Sequence, residues 1–514
     1  MVEPVLDISG RPHAPGSDTD RQWTLHWPDQ NRARSVSAHP LLQAWAGLAQ
    51  RETELGLGPE VPVLLDPHGY PDARLIRFFR RSRYAALARS TREAYVLDLR
   101  LFLNFLVLRG TRWDQACPDD LADFEHWRRR DPANPERIGG ARWNRALAAL
   151  RLFYDWAVQQ RLIPGSPVVT RSVRLPGGAT VDTAALKAKD VRTSNVKWLT
   201  LRAYQTWRNI GLLGYGLDGL PDEDWRGRND GRNAAFADYL VTSGLRRREC
   251  GSLLLVELPD DNIGQRYHMG RVAGAVAKRA ERYYWVKDSA VRATHAYVAT
   301  TRKDAIRRAQ RAGRYDELAQ RWVVSKISRR GIATWTTATG EVGTAPVSAL
   351  EPRERQLLFC DSPDGGIEPM SLWVTDAGMP MDYHCWGTVF NQANRRCAAL
   401  GKKTHVTPHA LRHSFALHML IALQHAFDQR MGLTETERRH YRLVFGDVWT
   451  MVKDLLGHRS VETTKAVYLE PVTGLQVDHL LNGEDTAGEV NDLLTRLAER
   501  SALVVDDRQA VTTR

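Results

Sequence analysis

TPHALRHSFALHML, residues 407–420, reads as the opening of a helix. Thr407 suits the N-cap, where its hydroxyl can accept a free backbone amide. Pro408 suits the first helical position, where its missing N–H costs nothing. Leu411, Phe415 and Met419 recur at helical spacing and form a face that belongs in a core. His409 and Arg412 are three residues apart and share a different face. A histidine and an arginine therefore leave the first turn of the helix together, where backbone amides also favour an anion. One such pair is unremarkable alone.

Two further stretches lie on either side of it. TSGLRRRECGSLLLVEL, residues 242–258, has a break at Gly244. Arg246 then opens a helix whose apolar face holds Cys250, Leu253 and Leu254. Glu249 lies about one turn beyond Arg246, close enough to hold its guanidinium. DLLGHRSVETTKAVYLE, residues 454–470, ends one helix at Leu455-Leu456-Gly457 and puts His458 in the turn. Tyr468 lies on the next helix and is the only tyrosine after His458. Taken alone, Tyr468 reads as a core aromatic with its hydroxyl bonded.

An arginine in a GLRxxE setting, then HxLRHSFA, then LGHxS…TTxxxY, in that order, resembles the tyrosine recombinases, also called phage integrases. The resemblance covers the larger domain. It extends more weakly to a preceding helical unit, where STREAYVLDLRLFLNFL (90–106) and ARWNRALAALRLFYDWAVQQRLIPGSP (141–167) resemble the family's core-binding domain. It implies a site-specific recombinase or integrase that joins Tyr468 to a 3′ phosphate of DNA and frees a 5′ hydroxyl. Arg246 and Arg412 would hold the phosphate, because guanidinium forks match its oxygens and stay charged. His409 would serve as acid and base, and His458 as a hydrogen-bond donor. The family also uses a lysine on a β-hairpin to protonate the leaving oxygen. Lys278, in the turn of GRVAGAVAKRAERYYWV (270–286), is the candidate, and Lys287 is its rival. No cofactor or metal is implied: fixed guanidiniums hold the developing charge, and a tyrosyl linkage conserves the bond energy, so no ATP is required.

The resemblance further implies double-stranded attachment sites as partners and a homotetramer on paired sites. Accessory proteins, and a role in integration, excision or transposition of a mobile element, go with it. Two other readings stand beside it. One is a type IB topoisomerase-like enzyme; the other is a catalytically silent DNA-binding accessory protein. The His458-to-Tyr468 spacing is one residue longer than the family's usual one. An extra residue rotates a helical position by about 100°, so the turn after His458 must absorb it.

Bulk properties agree with a nucleic-acid partner. The chain has 514 residues, with 72 Lys+Arg against 60 Asp+Glu and a formal net charge of +12. Such a balance favours a polyanion, because neutralised phosphates release counterions. The cysteines Cys117, Cys250, Cys360, Cys385 and Cys397 form no CxxC pair and no metal spacing, and read as reduced thiols. The N-terminal residues do not read as a signal peptide, and no stretch is long and apolar enough to span a membrane. Together these imply a cytoplasmic protein, associated with the nucleoid through DNA.

The expected architecture is multidomain and mostly α, with a small β-sheet. Residues 1–75 read as an irregular extension. Residues 76–167 read as a helical bundle. Within it, Ser90 to Glu93 forms a capping-box pattern, a second helix fits Asp119 to Arg130, and a third carries Trp143, Leu147, Leu150, Tyr154 and Ala157 on one face. Arg92, Arg100, Arg142, Arg145 and Arg151 on its polar faces are candidate DNA contacts. Residues 168–196 read as a linker and 197–481 as a mixed α/β catalytic domain, the two domains together closing around duplex DNA. Residues 482–514 read as a tail whose helix, Val490–Leu497, is a candidate for docking on a neighbouring subunit, ahead of a frayed end. Within the larger domain, 305–355 and 424–447 read as insertions.

Overall fold

The computed structural model describes residues 22–28, 54–58, 60–174, 180–190, 197–227, 229–261, 264–277, 281–429, 447–457, 460–461, 465, 495, 498 and 504–506. The chain divides into two compact units, residues 1–192 and 193–514. Each is mostly helical with small sheets, the class expected from the sequence.

The first unit is a helical bundle: Ala73–Arg81 (α1), Arg89–Leu108 (α2), Pro118–Arg129 (α3) and Gly140–Gln159 (α4). Its core is aromatic. Phe78 meets Phe153 edge-on at 5.2 Å, and Phe102 meets Phe124 at 5.0 Å. All five positions that mark the third helix in the sequence, from Trp143 to Ala157, are buried there. The capping box is not formed. Ala88 stands at the N-cap of α2, Ser90 lies inside the helix, and Glu93 pairs back to Arg89 at 2.9 Å. The helix starts two residues earlier than the capping box implies, and Val96, Leu99 and Phe102 on it are buried.

Two segments read as irregular are partly built into this unit. Thr24–His26 (β1) pairs antiparallel with Val63–Leu65 (β2), and the Trp23 amide donates to Asn104 Oδ1 at 2.7 Å. The expected linker contains a hairpin, Thr170–Arg174 (β3) with Thr180–Ala184 (β4). Beyond it the chain lies along α4. Trp143 Nε1 donates to the Leu186 carbonyl at 2.8 Å, and Asn144 exchanges two bonds with Ala188. A buried indole N–H needs an acceptor, and this stretch supplies it.

The second unit is built on Leu201–Leu213 (α5), Asp230–Ser243 (α6), Arg247–Gly251 (α7), Asp288–Tyr297 (α8), Lys303–Arg311 (α9), Cys385–Ala399 (α10), Pro408–Gln429 (α11) and Val448–Leu456 (α12). Phe236 stacks on Trp386 at its centre, with ring centroids 3.5 Å apart. Tyr267–Val272 (β6) and Arg282–Lys287 (β7) form the hairpin expected from the sequence, in antiparallel register from Tyr267↔Lys287 to Val272↔Arg282.

The region read as an insertion, 305–355, holds the end of α9 and three strands. Trp322–Ile327 (β8), Ile332–Thr337 (β9) and Val342–Pro346 (β10) form a meander, and TTATGEVGTAP is one of its hairpins. Leu358–Asp361 (β11) joins β8 in parallel and Ile367–Pro369 (β12) completes a five-stranded sheet. Arg355 fastens the meander to the body of the unit. It is buried, forks onto Glu257 at 2.7 and 3.0 Å, and donates to the Ser252 and Val347 carbonyls.

The end of the chain is not all frayed. Val504–Val505 (β13) pairs in parallel with Trp198–Leu199 (β5), and the Val505 carbonyl accepts the Thr200 amide at 3.0 Å. The tail helix Val490–Leu497 lies outside the described residues except for Thr495, as does 430–446 of the second expected insertion.

Candidate functional site

Local sequence sets the first part of the site. Helix α6 stops at Gly244, whose φ of 65° is left-handed. A Cβ there would also lie 2.2 Å from the Phe415 ring, so glycine is required twice over. The turn leaves Arg246 at the N-cap of α7 and Glu249 at its third position. The Glu249 carboxylate accepts the Arg246 amide at 2.8 Å and Arg246 Nη1 at 2.8 Å.

Glu249 is not half of a surface pair. Its side chain is 1% exposed, and the other edge of its carboxylate is forked by Arg282 of β7, with Nη1 at 3.0 Å and Nη2 at 2.7 Å. Burial alone would raise its pKa. The Arg282 hydrogen bonds, helped by the charges of Arg282, Arg412 and Arg246, overcome that and bring it down to about 2. Glu249 is therefore an anion throughout the working pH range, held among three cations.

The third cation arrives on α11. Thr407 Oγ1 accepts the Ala410 amide at 3.1 Å and so caps this helix as its sequence implies. Leu411 and Phe415 are buried, and Met419 is partly so. Arg412 is 2% exposed. Its Nη1 donates to the Gly244 carbonyl and its Nη2 to the Leu456 carbonyl. Leu456 ends α12, which Asp447 caps at its start by accepting the Thr450 amide at 2.7 Å. Gly457 follows with φ 61°. Arg282 Nε reaches the Leu455 carbonyl at 3.4 Å. The last carbonyls of α12 are thus met by two guanidiniums, a favourable end for a helix dipole.

His409 is exposed at the start of α11, its ring 4.2 Å from that of His413 in a T-shaped contact. Lys278, His458 and Tyr468 lie outside the described residues. Lys287 stands at the far end of β7 from Arg282, about 16 Å along the strand, and its exposure alternates with that of the buried Tyr284 and Val286. It is thus on the opposite face from Arg282.

Of the five bundle arginines, Arg92 pairs with Glu60, and Arg145 forks onto Asp98 at 2.8 and 2.9 Å. Arg151 donates to the Asp182 carbonyl at 3.1 Å and lies 3.4 Å from Asp155. Arg100 and Arg142 have no ion-pair partner among the described residues.

Sequence reading missed Arg282. Its signal was available: in RYYWVK it shares strand parity with the buried Tyr284 and Val286. An arginine on the inward face of a half-buried strand needs a carboxylate. Among the described residues, no group of three His, Cys, Asp or Glu side chains is arranged to hold a metal ion. No described helix is long and apolar enough to cross a membrane.

Residues 81–161, which span α2 to α4, match the family model described as phage integrase, N-terminal SAM-like domain. The matched domain is named for the phage integrases, the family whose motifs the second unit resembles. Among solved structures, the chain is similar to XerA recombinase, with 15% identity over 80% of this chain and 99% of that one and a TM-score of 0.29. It is also similar to the Tn1549 transposon integrase in complex with a circular intermediate DNA, with 13% identity, coverage of 75% and 93%, and a TM-score of 0.39. XerH recombinase bound to a palindromic difH substrate gives 10% identity, coverage of 87% and 86%, and a TM-score of 0.38. No curated protein matches the chain.

Proposed function

We propose that the chain is a site-specific DNA recombinase that cuts and rejoins duplex DNA through a 3′-phosphotyrosine at Tyr468. One observation carries the reading. Arg412 donates to both Gly244 and Leu456, so one buried guanidinium ties together the three motifs that the sequence separates.

In this reading Arg246 faces the scissile phosphate and neutralises the charge that grows in the transition state. Arg412 adds its charge from below, fixed by its two carbonyls. The Tyr468 oxygen attacks phosphorus and its proton passes to a base, for which His409 is the candidate. His458 donates a hydrogen bond to the phosphate. Lys278 protonates the departing 5′ oxygen. The reverse steps, with a new 5′ hydroxyl, rejoin the strand, so neither metal nor nucleotide is consumed. The partners are duplex attachment sites and further copies of the chain, four on two paired sites. The protein acts where the DNA is, in the cytoplasm, in integration, excision or transposition of a mobile element.

The experiment is a denaturing gel of the full chain incubated with nicked duplex DNA that traps the cleaved state. A covalent adduct that persists in EDTA and vanishes in Tyr468→Phe is expected. Tight binding with no adduct would replace the enzyme with a DNA-binding accessory protein. Relaxation of supercoiled plasmid without a specific site would move the reading to a type IB topoisomerase-like enzyme.

A further inference from the structure

Glu249 presents a problem to the site it helps build. A buried carboxylate beside Arg246 would ordinarily draw the whole guanidinium into a two-pronged pair, since that geometry is the strongest the two groups can make. Here it does not. Arg246 gives the carboxylate one side-chain nitrogen, Nη1, and its backbone amide. Arg282 takes the second fork position, donating to both oxygens. Each Glu249 oxygen thus accepts two hydrogen bonds and has no further capacity. Arg246 stays 23% exposed, and its Nε and Nη2 have no partner among the described residues.

Arg282 also reaches the end of α12, through the Leu455 carbonyl. Its stem passes beneath Gly457, where a Cβ would lie 3.0 Å from Arg282 Cδ and 3.2 Å from Nε. The residue after Gly457 is His458. One side chain from β7 therefore touches the acid that holds Arg246 and the helix end that precedes His458.

We infer that Arg282 is a positioning residue for phosphate recognition: by filling the second fork of Glu249 it keeps two nitrogens of Arg246 available to a phosphate. It touches no substrate itself. The inference rests on the reading of Arg246 as a phosphate ligand. Removing the Arg282 charge lets Glu249 take Arg246 in both prongs and withdraw it. Removing the Glu249 charge as well takes away the competitor, so the double substitution restores what the single one loses.

The test is a titration of the full-length protein with inorganic phosphate, followed by phosphorus NMR line width, with the thermal midpoint measured beside each affinity. The wild type is expected to bind and Arg246→Met to lose binding. Arg282→Gln is expected to weaken it by about tenfold or more, the scale of one charge-assisted hydrogen bond. Arg282→Gln with Glu249→Gln is expected to bind more tightly than Arg282→Gln alone. Arg282→Lys keeps the charge and loses the fork; it carries the test if Arg282→Gln does not fold, and is expected to bind several-fold more weakly than wild type. Wild-type affinity in both Arg282 variants overturns the inference. So does a double variant no better than the single one, or affinities that only follow the thermal midpoints. A wild type that binds no phosphate, or Arg246→Met binding like wild type, overturns the reading of Arg246 and the inference with it.

Discussion

Glu249 is buried and accepts four hydrogen bonds from two arginines. Its folded pKa, about 2, lies below the ordinary carboxyl value, 4.5. A depressed pKa stabilises the fold fully above the unfolded value, and the contribution is lost as pH falls from there through 2. The amount is on the order of 3 kcal/mol. Denaturant unfolding followed from pH 6 to pH 2.5 is expected to show this fall in wild type and a smaller one in Glu249→Gln. At pH 7 the same substitution leaves Arg282 buried without its counterion and is expected to cost about 3–5 kcal/mol. Gly457 makes a second prediction at this scale. Gly457→Ala adds a Cβ at a left-handed φ and against Arg282, with an expected cost of about 1–2 kcal/mol from the backbone alone. Equilibrium unfolding measures it. Arg246 and Glu249 were legible as a pair because they are three residues apart. Arg282 was not, because its partner is 33 positions away and only strand parity hinted at it.

Elements whose partners are close in sequence could be read directly. Helix α3 lies within one residue of its expected range, α4 buries the face its apolar spacing marks, and the β6–β7 hairpin pairs as expected. Strands closed by distant partners could not. β13 is two residues long and has meaning only beside β5, some 300 residues earlier. Val504→Asp would bury an unpaired charge there and is expected to destabilise the second unit by about 3 kcal/mol or more, seen as an earlier denaturant midpoint for that unit. The meander of β8 to β10 reads as turns because its strands are short and one face is polar. The end of α4 holds a further test. Arg161 has φ 56° in a left-handed cap where the Leu162 amide bonds to the Ala157 carbonyl at 2.9 Å. Arg161→Gly is expected to stabilise the first unit by about 0.5–1 kcal/mol, read as a later midpoint for that unit alone.

The whole molecule is a basic chain of two units, one of which matches a phage-integrase domain. Basic charge predicts DNA affinity that falls about a thousandfold or more between 50 and 200 mM salt. Within the bundle, Arg142→Ala and Arg100→Ala should each lower the salt slope by about one, while Arg145→Ala, whose guanidinium is already on Asp98, should lower it less. Filter binding across a salt series gives both slopes. The order of three motifs was visible in the chain, but their meeting point was not, because it depends on one guanidinium reaching two carbonyls.

The most direct measurement of the central claim identifies the residue that carries DNA. The trapped adduct is digested with nuclease and trypsin, and the peptides are sequenced by mass spectrometry. Trypsin should release residues 466–496, from Lys465 to Arg496, as one peptide that contains Tyr468. A nucleotide mass on Tyr468 of that peptide is expected. A nucleotide on any other residue, or none on any peptide, contradicts the claim.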